Sequence, residues 1–332
     1  MSVVLVDLKK VGEKLTRFEE STAQISILIV TLIFYLLTKS PIFGVLVAVE
    51  FIAFVFIEIQ QGVQHHGVRY EMYDTLKSLG IAVLLWLSVS VLLGTSVPIS
   101  AVVSCSMLPN LQRGDLTIIR GATAASLNAP RIEMSPEDFA KVYSHETEVS
   151  SPLGTFLVNG SLFSYCQVYK YTDKVCADFY SSPSLFVEKR GPLYFHYSKC
   201  QRKVLGTDTA ADTPCVTSLT YNGQEFKPDM KNDVIVYQPN TGDLFSYTGD
   251  IIHRTYLEIR AGNYTYVLTK GDNNDVLDIQ FYDHTRNLAN TPVQEKNIKG
   301  ANVFAIPYVG YFKLFISGFV DEPLYCNTNL LY

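Results

Sequence analysis

The chain has 332 residues, of which 48% are hydrophobic, and carries a formal net charge of −5 at pH 7. The apolar excess lies before residue 96, which predicts a membrane-anchored protein followed by a domain of ordinary soluble composition. An acidic chain without a stripe of basic and aromatic residues is not expected to bind nucleic acid.

Three apolar segments follow a polar N-terminal segment, residues 1–22. A membrane-spanning helix needs about 20 mostly apolar residues, and the candidate spans are Ala23–Thr38, Ile42–Ile59 and Leu79–Thr95. Because only Lys39-Ser40-Pro41 separates the first two, we expect them to form a tight helical hairpin. The first is not expected to be a cleavable signal peptide, since a long polar segment precedes it and no small-residue cleavage pattern follows.

Basic residues near the ends of these segments predict their orientation in the bilayer. Four lie before the first span and two lie in the segment 60–77, whereas Lys39 alone lies in the hairpin turn. This bias predicts a cytosolic N-terminal segment and a cytosolic loop at 60–77. Three crossings would then leave everything after Ser96 on the extracytosolic side.

An ionisable residue, Glu50, lies near the middle of the second predicted span. A charged side chain at that depth is costly and is usually paired or functional. We therefore expect Glu50 to contact a neighbouring helix or to belong to the hairpin.

Beyond the apolar segments the pattern is that of short β-strands. Helical periodicity is rare there, with Ser135–Tyr143 as the exception, where serine before proline is typical of a helix N-terminus. Six runs of β-branched or aromatic residues are bounded by Gly, Asn, Asp or Pro: Leu116–Arg120, Thr155–Asn159, Val234–Tyr237, Thr255–Ile259, Tyr264–Thr269 and Val303–Ile306.

The six cysteines fall into two groups. An even number in a region predicted to be extracytosolic indicates two disulfides, whose pairing stays open, and these four are Cys166, Cys176, Cys200 and Cys215. A zinc site is the alternative, which the lack of a Cys-x-x-Cys pair disfavours. Cys326 is left over, and Cys105 is interpreted as a bystander rather than a nucleophile.

Candidate catalytic residues lie in four short motifs. Ser104-Cys105-Ser106-Met107-Leu108-Pro109 follows the last apolar run, and Arg113-Gly114-Asp115-Leu116 comes soon after. Ile252-His253-Arg254 and Leu268-Thr269-Lys270-Gly271-Asp272-Asn273-Asn274 lie far downstream, before Asp278. A serine hydroxyl becomes a nucleophile when a base takes its proton, and histidine with aspartate supplies that base.

In this order the motifs resemble those of the type I signal peptidases, in the archaeal and endoplasmic-reticulum branch that uses histidine where the bacterial branch uses lysine. The resemblance covers residues 79–120 and 231–315. It implies a membrane protein in which N-terminal transmembrane helices, within 23–95, precede a mostly β catalytic domain formed by 96–120 and 231–332.

The segment 121–230 departs from that family pattern, which joins the Arg-Gly-Asp motif to the next strand with far fewer residues. We expect it to be a large inserted, extracytosolic, β-rich segment that its four cysteines staple. No internal repeat is evident in it.

The resemblance implies a Ser-His-Asp mechanism. Ser106 would attack the scissile carbonyl while His253 accepts its proton, giving an acyl-enzyme. Asp278 matches the triad acid and Asp272 matches the other acidic position of the family. Both remain candidates, whereas Asp275 matches neither.

Further roles follow from the same resemblance. The oxyanion would be bound by the Ser106 backbone N–H with support from Ser104, and Met107 and Pro109 are candidate substrate contacts. Lys270 is the rival base, if burial lowers its pKa. No metal or cofactor is expected, and the acidic loop lacks the central glycine of a calcium loop.

The function implied is that of a membrane-bound serine endopeptidase, which removes signal peptides from exported or secretory preproteins by cutting after small residues. Its partners would be preprotein signal peptides, the lipid bilayer, and a translocon or accessory subunits. It would be a multi-pass protein of an archaeal plasma membrane or the endoplasmic reticulum. Two alternatives stay open: an inactive surface-binding module, and a protease dedicated to a narrow substrate set.

Overall fold

The computed structural model describes residues 21–38, 41–170, 172–318 and 323–332. They divide into two compact units, Met1–Val89 with Tyr311–Asp321 and Ser90–Gly310 with Glu322–Tyr332. Most of the predicted cytosolic segment 1–22, and two residues of the predicted hairpin turn, lie outside the described residues.

Three long helices come first in the chain, α1 (Ser21–Thr38), α2 (Pro41–His66) and α3 (Val68–Leu93). Within the described ranges, two helices are long and apolar enough to span a membrane, over Ile42–Gln64 and Val68–Leu93. The apolar part of α1, Thr22–Tyr35, is shorter. The structure thus supports two of the three predicted spans.

The predicted connection at 60–77 is helical apart from Gly67, and its cytosolic location stays a prediction. Helix α2 continues to His66, and α3 begins at Val68 rather than at Leu79. Gly67 alone separates them, with a φ of 83°, a conformation that glycine adopts without strain. Hydropathy falls in this segment, and the sequence prediction interpreted that fall as the end of a helix. Glutamine and charged residues have good helix propensity, so the helices continue beyond their apolar parts.

Glu50 has a partner in the neighbouring helix. The Thr31 hydroxyl of α1 donates to Glu50 Oε1 of α2 at 3.1 Å. The expected helix contact is therefore confirmed.

The second unit is mostly β. In the described ranges its helices are α4 (Pro136–Tyr143), α5 (Leu162–Tyr169) and α6 (Lys174–Ser181), and the short α7 (Tyr311–Ile316) belongs to the first unit. The strands are β1 Ile99–Ala101, β2 Leu116–Arg120, β3 Arg131–Met134, β4 Glu146–Ser151, β5 Gly154–Asn159, β6 Val187–Arg190, β7 Leu193–Val204, β8 Ala210–Tyr221, β9 Gln224–Phe226, β10 Val234–Tyr237, β11 Ile251–Ala261, β12 Tyr264–Lys270, β13 Tyr282–Asp283, β14 Leu288–Ala289, β15 Val293–Gln294, β16 Ile298–Ile306 and β17 Thr328–Leu331.

The six predicted strands are all present, and two of them, β2 and β10, have the predicted bounds. The others are longer than their apolar cores, most notably β11, which begins at Ile251 and so includes His253. The predicted helix N-terminus is also confirmed, since the Ser135 hydroxyl accepts the Asp138 N–H as an N-cap. Helices α5 and α6 were not predicted.

Two large sheets and the two-stranded pair β13-β14 make up the described strands of the unit. The first runs in the order β1-β2-β16-β10-β11-β12-β15, with β3 pairing in parallel with β11. The second runs β5-β4-β6-β7-β8-β9, with β17 pairing with β7. The segment 121–230 therefore supplies most of the second sheet, but it also gives β3 to the first sheet and accepts β17 from the C-terminal part of the chain.

One apolar core joins the two sheets. It contains Leu257 and Leu268 of the first sheet together with Phe195 and Leu219 of the second, and all four side chains are fully buried. Because the sheets share this core, the predicted inserted segment packs directly against the strands of the predicted catalytic domain.

Three disulfides link the six cysteines. Cys166 pairs with Cys176 and Cys200 pairs with Cys215, which confirms the two predicted disulfides. The third pair corrects the prediction for the other two cysteines: Cys105 is bonded to Cys326, 221 residues away, so it is neither a bystander nor a free nucleophile.

We expect the Cys105–Cys326 disulfide to contribute more to stability than the Cys166–Cys176 disulfide. A cross-link removes entropy from the unfolded chain, and the loss increases with the logarithm of the number of residues in the loop that it closes. The paired cysteines are separated by 221 and 10 residues respectively. The chain-entropy relation gives about 5 and about 3 kcal/mol respectively. Thermal unfolding of the two double Cys→Ala variants, each in the full chain in detergent, tests this, and an equal or reversed order contradicts it.

Candidate active site

Ser106 lies in the connection between β1 and β2. Its backbone carbonyl accepts the Asn273 N–H at 2.7 Å, and the Asn273 side chain donates to the carbonyl of Cys105 at 3.1 Å. A Cβ on Gly271 would lie 2.7 Å from the same Ser106 carbonyl. The glycine of the acidic motif therefore lets that loop approach the serine loop closely.

Ser106, His253 and Asp278 form a continuous hydrogen-bonded relay. Ser106 Oγ lies 2.9 Å from His253 Nε2, and His253 Nδ1 lies 2.7 Å from Asp278 Oδ2. The histidine and aspartate are 4% and 3% exposed, so little water competes for these bonds. Ser104 Oγ lies 3.0 Å from Ser106 Oγ, within reach of the same reacting centre.

Two hydroxyls that sequence reasoning missed fix the Asp278 carboxylate. Tyr237 OH of β10 and Thr269 Oγ1 of β12 donate to Asp278 Oδ2 at 2.9 and 2.6 Å. Burial, and then the charge of Asp278, raise the pKa of Tyr237 well above its usual value, so this phenol stays a donor. Thr269 lies inside the acidic motif and Tyr237 at the end of the predicted strand Val234–Tyr237, and the sequence pattern assigns neither hydroxyl a role.

Asp272 forms an ion pair with Arg254 and not with His253. Arg254 donates to both of its carboxylate oxygens at 2.7 Å, and Asn110 donates to Oδ2 at 2.8 Å. Both carboxylate oxygens of Asp272 are engaged by Arg254, so this ion pair orders the acidic loop, and Asp272 does not orient His253. Of the two candidate acids, the structure brings only Asp278 to the histidine.

Lys270 is buried behind the acidic loop. Its ammonium donates to the carbonyls of Gly271 and Asn274 and to Tyr332 OH. Burial lowers the pKa of Lys270 from 10.5 to about 8, an effect that the carboxylates of the loop oppose. Within the part of the chain that the structure describes, this ammonium makes no hydrogen bond to Ser106, and His253 occupies that place.

Asp275 also takes part in an ion pair. Its Oδ1 accepts from Arg202 of β7 at 2.9 Å, and burial raises the pKa of this carboxyl although the guanidinium opposes the shift. The pair joins the acidic loop to the second sheet.

The Met107 side chain does not line an open site in this structure, so a substrate contact through Met107 stays a prediction. The Met107 side chain is fully buried and packs with Val102, Leu111 and Val234, because an apolar side chain gains more from this core than from an open site. Pro109 is exposed, so a contact through it stays a prediction.

A cavity of about 230 Å³ opens beside the serine. Its walls include Ser104 and Ser106 from the first sheet's connection, and Phe163 and Gln167 from α5. Phe281, three residues after Asp278, also lines this cavity. Residues of the segment 121–230 thus form part of the wall around the reacting hydroxyl.

Two fungal proteins are similar in sequence to the chain. It is 27% identical over 124 residues to the signal peptidase complex catalytic subunit SEC11 of Pyricularia oryzae, which covers 34% of this chain and 70% of that protein. It is 27% identical over 99 residues to SEC11 of Metarhizium acridum, covering 30% of this chain and 52% of that protein. No protein-family model matches. The resemblance to signal peptidases inferred from the motifs is confirmed.

We expect Lys270 to make stability depend on pH. The folded-state pKa of about 8 lies below the ordinary 10.5, so the buried charge costs about 3 kcal/mol below pH 8, and this cost disappears as pH rises from 8 to 10.5. Stability relative to Lys270→Met should therefore rise over that window. Thermal unfolding between pH 7 and 10 measures this, with exposed Lys199→Met as the control. Parallel curves for wild type and Lys270→Met would exclude the effect.

Proposed function

We propose that the chain is a membrane-bound serine endopeptidase that removes signal peptides from exported or secretory preproteins. The observation that supports this most is the Ser106–His253–Asp278 relay, with hydroxyl, imidazole and carboxylate in the order that nucleophilic catalysis requires. The sequence similarity to two SEC11 catalytic subunits supports the choice of substrate.

The mechanism starts with proton transfer from Ser106 to His253 Nε2 as Oγ attacks the scissile carbonyl. Asp278 accepts the Nδ1–H, which fixes the tautomer and stabilises the imidazolium. The tetrahedral intermediate then breaks the C–N bond, and the imidazolium gives its proton to the leaving amine. Water, activated by the same imidazole, hydrolyses the Ser106 ester and releases the signal peptide with a new carboxylate.

Ser104 would act in two ways during this cycle. For Ser106 to donate to His253, the Ser104 hydroxyl must donate to Ser106 Oγ, and their 3.0 Å separation allows it. As Oγ bonds to the carbonyl carbon, that hydroxyl is free to turn toward the oxyanion of the tetrahedral intermediate, beside the Ser106 N–H. A donor of this kind contributes about 3–4 kcal/mol to the transition state.

The position of the serine after a spanning helix supports a substrate at the membrane. Helix α3 ends at Leu93, whose carbonyl accepts the Gly121 N–H at 2.7 Å, and Thr95 donates to the Lys299 carbonyl of β16 at 2.6 Å. Only a short stretch of chain joins this helix end to Ser106. If α3 spans the bilayer, cleavage would fall on peptide bonds next to another apolar segment, as in a signal peptide bound as an extended strand.

Partners and location are part of the proposal. The matched relatives are named as catalytic subunits of a signal peptidase complex, and we infer accessory subunits here as well. The site would lie on the extracytosolic side of the endoplasmic reticulum or of a plasma membrane, which is the side that the basic residues at the predicted helix ends favour.

Four substitutions test the mechanism. Ser106→Ala and His253→Ala should abolish cleavage of a detergent-solubilised preprotein, and Asp278→Asn should lower kcat about 10⁴-fold. Its matched control, Asp272→Asn, should keep most of kcat but lose about 3–5 kcal/mol of stability, since Arg254 is left as a largely buried, unpaired charge. Kinetics and thermal unfolding are the measurements, and the product N-terminus is sequenced.

The opposite pattern would overturn the assignment. Cleavage at the same bond by Ser106→Ala excludes this serine, and a greater loss of kcat in Asp272→Asn than in Asp278→Asn excludes the relay. A folded wild type that cleaves no preprotein would favour the inactive surface-binding module.

A narrower activity, a protease that selects its substrates through the second sheet, is favoured by one observation. Gln167 and Phe163 belong to the segment 121–230 and line the cavity at Ser106. In this proposal the cavity binds the substrate side chain next to the cut. Replacing the exposed Gln167 side chain with the larger indole of tryptophan would fill the cavity and exclude a bulky substrate side chain.

Gln167→Trp should therefore lower kcat/KM about tenfold or more for preproteins with a bulky residue at one position beside the cut, and leave those with alanine there unchanged. The matched control is Val168→Trp, at the neighbouring exposed position outside the cavity wall. A panel of single-residue substrate variants provides the measurement. An equal effect on every substrate, or none, would count against a side-chain subsite here.

A further inference from the structure

We propose that the second sheet positions the catalytic acid through a buried polar cluster formed by Glu188, Tyr197 and Gln280. The inference rests on the proposed function, in which Asp278 orients His253. It assigns a role to part of the segment 121–230, for which the family pattern has no counterpart. The residues would act through Asp278 without touching substrate.

Side chains from the second-sheet region hold the backbone of the acid turn, residues 277–281. Ser161 Oγ and Ser164 Oγ both donate to the Gln280 carbonyl, the latter at 2.7 Å, and the Arg190 guanidinium of β6 donates to the Ile279 carbonyl. All three side chains are at most 3% exposed. Two successive carbonyls immediately after Asp278 are thus fixed by residues 161–190.

The Gln280 side chain connects the acid turn to the cluster. Its Nε2 donates to Tyr197 OH at 2.9 Å and to Glu188 Oε1 at 3.2 Å, while its Oε1 accepts the Leu277 N–H at 3.1 Å. One amide therefore closes the turn across Asp278 and also ties it to β6 and β7. A shift of either partner would move the carboxylate with the turn.

The rest of the cluster is hydrogen-bonded as well. Tyr197 OH donates to Glu188 Oε2 at 2.6 Å, and the Leu162 N–H donates to the same oxygen at 3.2 Å. Burial raises the pKa of Glu188, with Tyr197 opposing the shift, and burial lowers the pKa of Arg190 to about 10. Burying such groups gives little net stability, whereas a fully bonded polar network defines one geometry. Positioning explains the cluster better than stability does.

Residues outside the second sheet also form hydrogen bonds with Asp278. Tyr237 and Thr269 of the first sheet fix its carboxylate, and the Asn290 amide donates to its carbonyl at 2.9 Å. The carboxylate therefore has first-sheet donors, whereas the following backbone has second-sheet donors. Because a displacement of 1 Å at a catalytic group can cost about 10²-fold in rate, loosening one support should be visible in kcat.

Tyr197→Phe tests the proposal, because it removes one hydroxyl and conserves the ring. We expect kcat, normalised to the folded fraction, to fall about tenfold with KM within twofold. The matched control is Tyr256→Phe, similarly buried, whose hydroxyl donates to the Phe226 carbonyl and not to a residue of the acid turn. A purely structural role would lower the folded fraction of both variants and leave the normalised kcat of both unchanged, which would overturn the proposal.

A double-mutant cycle tests whether Tyr197 acts through Asp278. In an Asp278→Ala background, the loss of kcat caused by Tyr197→Phe should disappear, since there is no carboxylate left to position. An equal loss in both backgrounds would contradict the positioning role.

Hydrogen exchange followed by mass spectrometry observes the turn without any activity. The backbone N–H groups of Leu277, Gln280 and Phe281 are hydrogen-bonded within it, and their exchange should quicken in Tyr197→Phe and not in Tyr256→Phe. Unchanged exchange in Tyr197→Phe would overturn the proposal even if wild type cleaves preproteins. Failure of wild type to cleave, with faster exchange in the variant, would count against the proposed function alone.

Discussion

Burial of one carboxylate is the constraint on which the proposed catalytic centre depends. Asp278 Oδ2 accepts hydrogen bonds from three adjacent strands of the first sheet, through Tyr237 of β10, His253 of β11 and Thr269 of β12. A buried carboxylate without such donors would be too costly to keep charged. The requirement that three neighbouring strands each present one donor at the same point fixes the register of β10, β11 and β12 around the histidine.

Local patterns were enough to predict the parts of this site that lie on strands. Short runs of β-branched or aromatic residues predicted β2 and β10 with their bounds, and the order of the motifs singled out Ser106 and His253, which the structure places within hydrogen-bond distance of each other. The pattern could not distinguish Asp272 from Asp278, because both lie in a turn-like acidic loop and the choice depends on where Arg254 and His253 point. It also could not predict the Cys105–Cys326 pairing, since contacts between residues 221 positions apart depend on the tertiary fold.

Asn273 explains how the separate loops of the site are kept in register. Its amide donates to the carbonyls of Cys105 and Thr328, and its Oδ1 accepts the Leu330 N–H. One buried side chain therefore binds the serine loop, the acidic loop and β17 together. The Cys105–Cys326 disulfide links the serine loop to the same C-terminal part of the chain covalently, so the loop that carries Ser106 is held by two independent connections.

The position of Asp278 after β12 explains why the second sheet contributes to the proposed catalytic centre. Ser106 and His253 are fixed by strand pairing and by short connections, whereas Asp278 lies eight residues past the end of its strand, in a turn that the ladder does not hold. Such a turn needs hydrogen bonds from another source to keep one conformation. Here Ser164 and Arg190 donate to the carbonyls of the turn, and Tyr197 of the second sheet accepts from the Gln280 amide. A segment that looks like an addition to the family pattern thereby becomes part of what makes the acid rigid.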